Sequence, residues 1–463
     1  MSDSSNDRNQ LLDRYRHIMK QEGLHDLITE TFLFYFHQVM LGITGKMSNS
    51  EIDPPDKSNL VDYSGLKQTS RENLDKLVII KLNGGLGTSM GLKRAKSLLP
   101  VKGKMNFLDV IIRQVLSLRN RTEKEIPLIF MNSFNTNEDT LQYLEKYPDL
   151  GLFKVPLSFT QNKYPRIIRE TMEPYQHPFD ENQNWNPPGH GDIYMAMAIS
   201  GVLDKLLESG IEYAFISNSD NLGAVVDEKI LNYIVGENVP FLMEVCLRSE
   251  IDKKGGHLAQ DISNQLVLRE IAQCPEEELG EFQDIELYKF FNTNNLWINL
   301  IELKKIMVEN KNLFMLPIIL NTKDVEGTSV IQIETAMGAA ISMFSSSKAL
   351  IVPRERFAPV KKTNDLLTIW SDAYTLTDDF RIVLNEECKA IPSIILDEEY
   401  FKTIEQLETR FPNGAPSLKN CQRLEIIGDF HFGEDVAIEG IVKIQTQQPV
   451  YVYDMVIKKD KCF

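Results

Sequence analysis

The stretch Lys81-Leu-Asn-Gly-Gly-Leu-Gly-Thr-Ser-Met-Gly91 sets Gly84, Gly85, Gly87 and Gly91 directly after an apolar run, and Lys96-Ser97 follows. A loop this rich in glycine packs poorly. It does let a main chain run close to phosphates, because successive N–H groups can turn inward without a Cβ in the way. A lysine just beyond such a loop serves as a point charge on a polyphosphate. Lys93 and Arg94 are equally near and share that role as candidates, and all three also suit a solvated turn. Neither a P-loop ending in Gly-Lys-Ser/Thr nor the G-x-G-x-x-G dinucleotide pattern is present.

Four further clusters carry usable chemistry. Trp185-Asn-Pro-Pro-Gly-His-Gly-Asp192 holds His190 between two glycines behind two prolines, a rigid setting for a neutral imidazole that hydrogen-bonds a sugar or phosphate. Ser217-Asn-Ser-Asp-Asn221 offers Asp220 as a hard oxygen ligand for Mg2+, or equally as the start of an Asx turn. Phe291-Asn-Thr-Asn-Asn-Leu-Trp297 interleaves amides with aromatics, a composition that fits sugar hydroxyls or a plain turn. Arg356-Phe-Ala-Pro-Val-Lys-Lys362 adds a lysine pair behind a proline. No Ser-His-Asp order, His-Glu-x-x-His motif or nucleophilic cysteine setting accompanies them. Lysines, amides and one carboxylate without a nucleophile suit phosphoryl or nucleotidyl transfer, in which positioning and charge neutralisation carry the reaction.

The elements that must hold these groups follow from periodicity. Leu77–Leu82, Ile126–Met131, Tyr213–Ser217 and Phe241–Arg248 read as strands, and Phe107–Arg119, Thr140–Tyr147 and Asp227–Val235 as helices. This alternation, over residues 74–377, predicts a mostly parallel, doubly wound α/β sheet. Ligands of such sheets bind beyond the carboxyl ends of the strands, where Asn83–Gly91 and Asn218–Asp220 fall. Residues 1–73 read as an N-terminal helical extension, with apolar spacing at Leu11–Met19 and Leu24–Leu41. Residues 378–463 contain short alternating segments punctuated by Gly428, Gly433 and Gly440. They read as rungs of a β-helix or as a small antiparallel sheet.

At 463 residues, with 43% apolar and 25% charged residues, the chain has the bulk of a globular protein of two or three domains. Its net charge of −16 argues against general nucleic-acid or anionic-membrane partners, so any positive field must be local. The polar opening Met1-Ser-Asp-Ser-Ser-Asn has no signal-peptide pattern, and Phe32–Leu41 is too short to span a bilayer. Five scattered cysteines show no C-x-x-C spacing, which fits neither a disulfide framework nor a thiolate metal site and points to the cytoplasm.

Taken together, the segments resemble the UTP–glucose-1-phosphate uridylyltransferase family of the eukaryotic and plant-like type. The likeness runs through the glycine loop with Lys96-Ser97, Met131-Asn-Ser-Phe-Asn-Thr136, Gln161-Asn-Lys-Tyr-Pro-Arg166, Pro187-Pro-Gly-His-Gly-Asp-Ile-Tyr194 and Ser217–Gly223. It continues through Lys254-Gly-Gly256, Asn292-Thr-Asn-Asn295, Glu334-Thr-Ala-Met-Gly338 and Arg356–Lys361. The resemblance implies a GT-A-like (Rossmann-like) mixed central sheet with flanking helices and a C-terminal left-handed β-helix. It implies reversible conversion of UTP and glucose 1-phosphate to UDP-glucose and pyrophosphate, with Mg2+ as cofactor.

By the same resemblance, Leu82, Asn83, Gly84 and Gly85 lie along the nucleotide, and Gln161 and Gly189 read the uracil. Lys96 and Lys361 hold phosphates, Asp220 holds the metal, His190 and Asn218 meet the sugar phosphate, and Ser219 is a further substrate-binding residue. Glu244, Asn292 and Asn294 meet the glucosyl hydroxyls. Two departures stand out: Leu92-Lys-Arg-Ala replaces the Cys-x-Gly-Pro usual in animal and plant members, and the chain ends sooner than animal members, whose end region builds the oligomer. A homo-oligomer through the C-terminal domain therefore stays open. So do a broad-specificity UDP-sugar pyrophosphorylase and a catalytically silent nucleotide-sugar sensor; retention of Lys96, Asp220 and Lys361 together argues against the sensor.

Overall fold

A computed structural model describes residues 3–67, 71–152 and 155–463; Met1 and Ser2 of the polar opening, and residues 68–70 of the N-terminal segment, lie outside it. Strand Leu77–Asn83 is buried along its whole length. Its side chains alternate between two cores. Leu77 and Ile79 point into one with Phe107, Ile111 and Phe215, while Val78, Ile80 and Leu82 point into the other with Phe32, Ile193 and Ile216. Covering helices on both faces explain why the strand reads as a continuous apolar run. Helix Phe107–Thr122 starts on a capping box in which Asn106 and Asp109 bond each other's main-chain N–H, and helix Glu228–Gly236 is capped by Asp227.

The central sheet runs, edge to edge, Leu60–Asp62, Lys348–Ile351, Phe241–Leu247, Phe290–Asn299, Tyr213–Asn218, Leu77–Asn83, Leu128–Asn132 and Ser158–Thr160. Along this order pairing is parallel except at Phe290–Asn299, which lies antiparallel to both its neighbours; off it, His257–Asp261 pairs antiparallel with Leu266–Arg269. The sheet is thus mixed, and the doubly wound expectation misses one central strand. Three of its residues, the asparagines of Asn292-Thr-Asn-Asn295, have weak β-propensity, and the stretch looks like a turn. They are accommodated by a register shift opposite Glu244 and Val245 and by a left-handed Asn294, whose φ is 59°.

Among the described residues the N-terminal segment is α-helical over Asp3–Gln21 and Asp26–Met40, with single 3-10 turns farther on. Beyond them the chain joins the sheet: Ile52–Asp53 pairs with His257–Asp261, and Leu60–Asp62 forms the edge strand on Lys348–Ile351. Strands of two and three residues carry no readable period.

Ile382–Leu384 still pairs antiparallel with Tyr374–Leu376, but from Ser393 onward the short strands pair in parallel, which rules out a small antiparallel sheet for the glycine-punctuated segment. Leu424 lies opposite Val442, Phe430 opposite Val450 and Val436 opposite Met455, so each successive turn of chain stacks on the one before. Leu424, Ile426, Phe430, Phe432, Val436, Ile438, Val442 and Ile444 fill the interior and belong to the same apolar cluster as Leu77, Ile79 and Phe215.

Candidate functional site

The glycine loop begins where strand Leu77–Asn83 ends. Asn83 does not reach the cleft: its amide donates to Asn132 and Thr140, both at 2.8 Å, and its carbonyl accepts from the Thr136 hydroxyl at 2.7 Å. The Ser133 hydroxyl fastens the Gly84 carbonyl at 2.9 Å. A Cβ built on Gly85 would meet nothing within 4 Å, so the main chain there faces open space. Gly87 and Gly91, with φ of 65° and 76°, bracket the tight turn Thr88–Met90 and fold the chain back. The return brings the Lys96 N–H to the Gly85 carbonyl at 3.0 Å.

The parallel neighbour Tyr213–Asn218 places Asn218 opposite Leu82, and the Ser219 N–H donates to the Leu82 carbonyl at 3.0 Å. Asp220 follows, and its carboxylate takes the Lys96 ammonium at 2.6 Å. Both side chains are largely enclosed, 14% and 24% exposed.

A third wall is the loop through His190. Gly189 has φ 78°, and a Cβ on it would sit 2.4 Å from the Thr335 carbonyl; a Cβ on Gly191 would come equally close to the Thr335 hydroxyl. Only glycine allows this approach. It brings the Met337 N–H to His190 Nδ1 at 3.0 Å, so Nδ1 is an acceptor and the ring proton sits on Nε2. Burial pushes the His190 pKa down to about 4, which keeps the imidazole neutral. Gln161 closes the wall, its Nε2 donating to the Gly189 carbonyl at 2.5 Å.

These three walls enclose a cleft of about 260 Å3. Leu82, Gly84, Gly85, Lys96 and Gln161 line it, with Gly189, His190, Asn218, Ser219 and Asp220. Lys361 stands beside it: the Val360 N–H donates to the Asp220 carbonyl at 3.0 Å, and the Lys361 side chain is exposed.

Glu244 is not presented to the cleft. It is wholly buried, and its carboxylate holds Arg356 through Nε at 2.7 Å and Nη2 at 2.5 Å, Asn295 at 3.0 Å and the Trp297 indole at 2.8 Å. Asn292 and Asn294 bond each other across the bulge, and the Asn292 N–H donates to the Gly256 carbonyl at 3.0 Å.

Three groups that sequence reasoning passed over bear on the site. Asp365 accepts the Lys361 and Lys362 N–H groups at 2.7 and 2.9 Å; burial raises its pKa against the pull of those bonds and of the Lys96 and Lys361 charges. Its signal is the Asp three residues after Lys362, a helix-start pattern. Glu270 packs where a Gly256 Cβ would be, and burial raises its pKa against the charge of Lys361. Nothing local in the sequence marks it. Lys81 occupies a core position, donating to the Ser217 hydroxyl and the Ala224 carbonyl, both at 2.7 Å; burial lowers its pKa to about 7, with the Arg356 charge adding to the effect.

Among the described residues no group of three or more His, Cys, Asp or Glu could hold a metal. An enclosed carboxylate, Asp220, beside a phosphate-sized cleft nevertheless fits Mg2+, which takes one or two protein carboxylates and fills its remaining positions with water and substrate phosphates.

A sequence profile described as UTP–glucose-1-phosphate uridylyltransferase matches residues 29–439. The chain is 41% identical to a UTP–glucose-1-phosphate uridylyltransferase of Solanum tuberosum over 410 residues, covering 87% of this chain and 84% of that protein. Among solved structures, a point mutant of UDP-glucose pyrophosphorylase from Leishmania major, in complex with UDP-glucose, superposes with a TM-score of 0.91 at 39% identity, covering 98% of this chain and 99% of the other. A Trypanosoma brucei UDP-glucose phosphorylase gives 0.88 at 42% identity, over 97% and 99%. No helix among the described residues is long and apolar enough to cross a membrane.

Proposed function

The chain belongs to the UTP–glucose-1-phosphate uridylyltransferase family, and on that premise we propose that it joins UTP and glucose 1-phosphate into UDP-glucose and pyrophosphate, reversibly. The observation that carries this reading is the convergence of bare main chain at Gly84 and Gly85 with Lys96, Asp220 and neutral His190 around one cleft. In the proposed reaction a phosphate oxygen of glucose 1-phosphate attacks the α-phosphorus of UTP in line. The bond from that phosphorus to the bridging oxygen breaks, and pyrophosphate leaves with the electron pair. No covalent enzyme intermediate is needed.

Lys96 and Lys361 offset charge on the non-bridging and leaving oxygens. The main chain at Gly84 and Gly85 runs along the nucleotide, with Leu82 against the base. Gln161 spends its Nε2–H on Gly189, which leaves Oε1 to accept the uracil imide N–H. His190 donates Nε2–H to the sugar phosphate beside Asn218 and Ser219. Asn292, Asn294 and Glu270 face the sugar hydroxyls, whereas Glu244 serves through its partners. Asp220 would hold Mg2+, whose chemistry there is neutralisation of phosphate oxygens. Lys96 exchanges its Asp220 partner for phosphate when substrate enters.

Around this core, the stacked parallel turns of the C-terminal segment suit a left-handed β-helix, a candidate surface for self-association. Five free cysteines suit a cytoplasmic enzyme of carbohydrate metabolism. The test is pyrophosphate release from UTP plus glucose 1-phosphate, with and without Mg2+, run beside galactose 1-phosphate. Release that needs both substrates and the metal supports the reading; no release from the folded protein would end it.

A further inference from the structure

Lys361 presents a problem of placement. Its side chain is exposed and, among the described residues, its ammonium makes no ion pair, although Glu270 and Asp365 are near enough to feel its charge; what the fold fixes is the backbone from which it reaches. That backbone is tied to the loop bearing Asp220. The Val360 N–H bonds the Asp220 carbonyl at 3.0 Å, and the Ala358 N–H bonds Asn221 Oδ1 at 2.9 Å. Asn221 Nδ2 in turn donates to the Arg356 carbonyl at 3.1 Å and to Asn295 at 3.2 Å. Gly223 allows the two segments to meet, since a Cβ there would lie 2.2 Å from the Glu355 carbonyl.

Beneath this seam sits the Glu244–Arg356 pair. Glu244 is 0% and Arg356 7% exposed, and Glu244 comes from a strand more than a hundred positions earlier. The guanidinium also donates to the Val225 carbonyl at 3.0 Å and lies 3.8 Å from Asp227, whose other duty is to cap helix Glu228–Gly236. Such a pair is costly to bury and is a weak source of stability, but its fork geometry fixes direction.

We propose that the Glu244–Arg356 pair, acting through Asn221, is a positioning clamp that sets Lys361 against the Asp220–Lys96 pair for the chemical step. Arg356, Glu244 and Asn221 touch no substrate; they determine where the Lys361 charge stands. The inference rests on the role given to Lys361 above.

The test is a double-mutant cycle of Arg356→Lys with Lys361→Ala, following kcat, KM for UTP and thermal unfolding. Lysine keeps the charge of Arg356 and loses the fork. The expected result is a kcat lowered about tenfold by Arg356→Lys with KM for UTP changed by less than about threefold, and less than about twofold further loss in the Lys361→Ala background. Losses that multiply in full, or an Arg356→Lys enzyme within about twofold of the parent, overturn the clamp. Normal turnover in Lys361→Ala alone removes the role of Lys361 itself, and the clamp with it, while a slow Lys361→Ala with multiplying losses removes only the clamp. If Arg356→Lys does not fold, the same cycle run with the uncharged Asn221→Ala decides by the same criteria.

Discussion

Replacing Lys96 by alanine removes a cation that the structure encloses within the cleft. Its ammonium lies 2.6 Å from the Asp220 carboxylate, and both groups are mostly shielded from water. At a separation of about 4 Å and an effective dielectric of about 20, a unit charge on a phosphate oxygen interacts with this lysine by roughly 4 kcal/mol. Only part of a charge develops between ground and transition states, so about 3 kcal/mol is the differential share, or roughly a hundredfold in kcat. The variant also leaves Asp220 unneutralised beside an incoming triphosphate, so KM for UTP should rise as well. Initial rates of pyrophosphate release, with circular dichroism as the check on folding, measure both effects. A folded Lys96→Ala enzyme whose kcat stays within about threefold would refute the charge-neutralisation argument, because no arrangement of that lysine near the reacting phosphate would permit it.

The two glycine classes should separate cleanly. Gly85→Val should leave the melting temperature unchanged, since its Cβ meets open space, yet raise KM for UTP at least about tenfold by filling the cleft. Gly189→Ala should instead lower the melting temperature by several degrees, because φ is 78° and the Thr335 carbonyl stands in the way. Chelation should abolish turnover and Mg2+ should restore it. Asp220→Asn should raise the Mg2+ concentration needed for half-maximal rate about tenfold or more. His190, held near 4 in the fold against 6.5 when unfolded, binds fewer protons folded than unfolded across that window. Its stabilising contribution should therefore be complete above about pH 6.5 and fade as pH falls toward 4. An NMR titration showing a His190 inflection between pH 6 and 7 in the folded protein would contradict it.

The groups most legible from sequence lie on loops that leave the carboxyl end of a strand, Lys96 at the far end of its loop and the others next to the strand. Gly84, Gly85, Lys96 and Asp220 announce themselves because their chemistry and their position are both local. The strand Phe290–Asn299 did not, since its asparagines contradict β-propensity and only the tertiary pairing with Phe241–Leu247 overrides it. Glu244 is a sugar ligand only by the family resemblance, and nothing local in the sequence shows that its carboxylate is spent on Arg356. Its partner Arg356 lies far along the chain, and no spacing rule connects them. The same holds for the tautomer of His190, which depends on Met337. The edge strand Leu60–Asp62 is too short to show alternation, and it follows a segment whose periodicity is helical.

The apolar interior of the C-terminal parallel turns is not sealed off from that of the sheet, since Leu424, Val442 and Ile444 join Phe215 and Trp297 in one continuous oil phase. Heat should thus melt the enzyme in a single calorimetric event rather than two. Grafting that segment from a distant relative would mean redesigning the floor beneath the catalytic sheet, which makes it an inseparable part of the machine and not an interchangeable module.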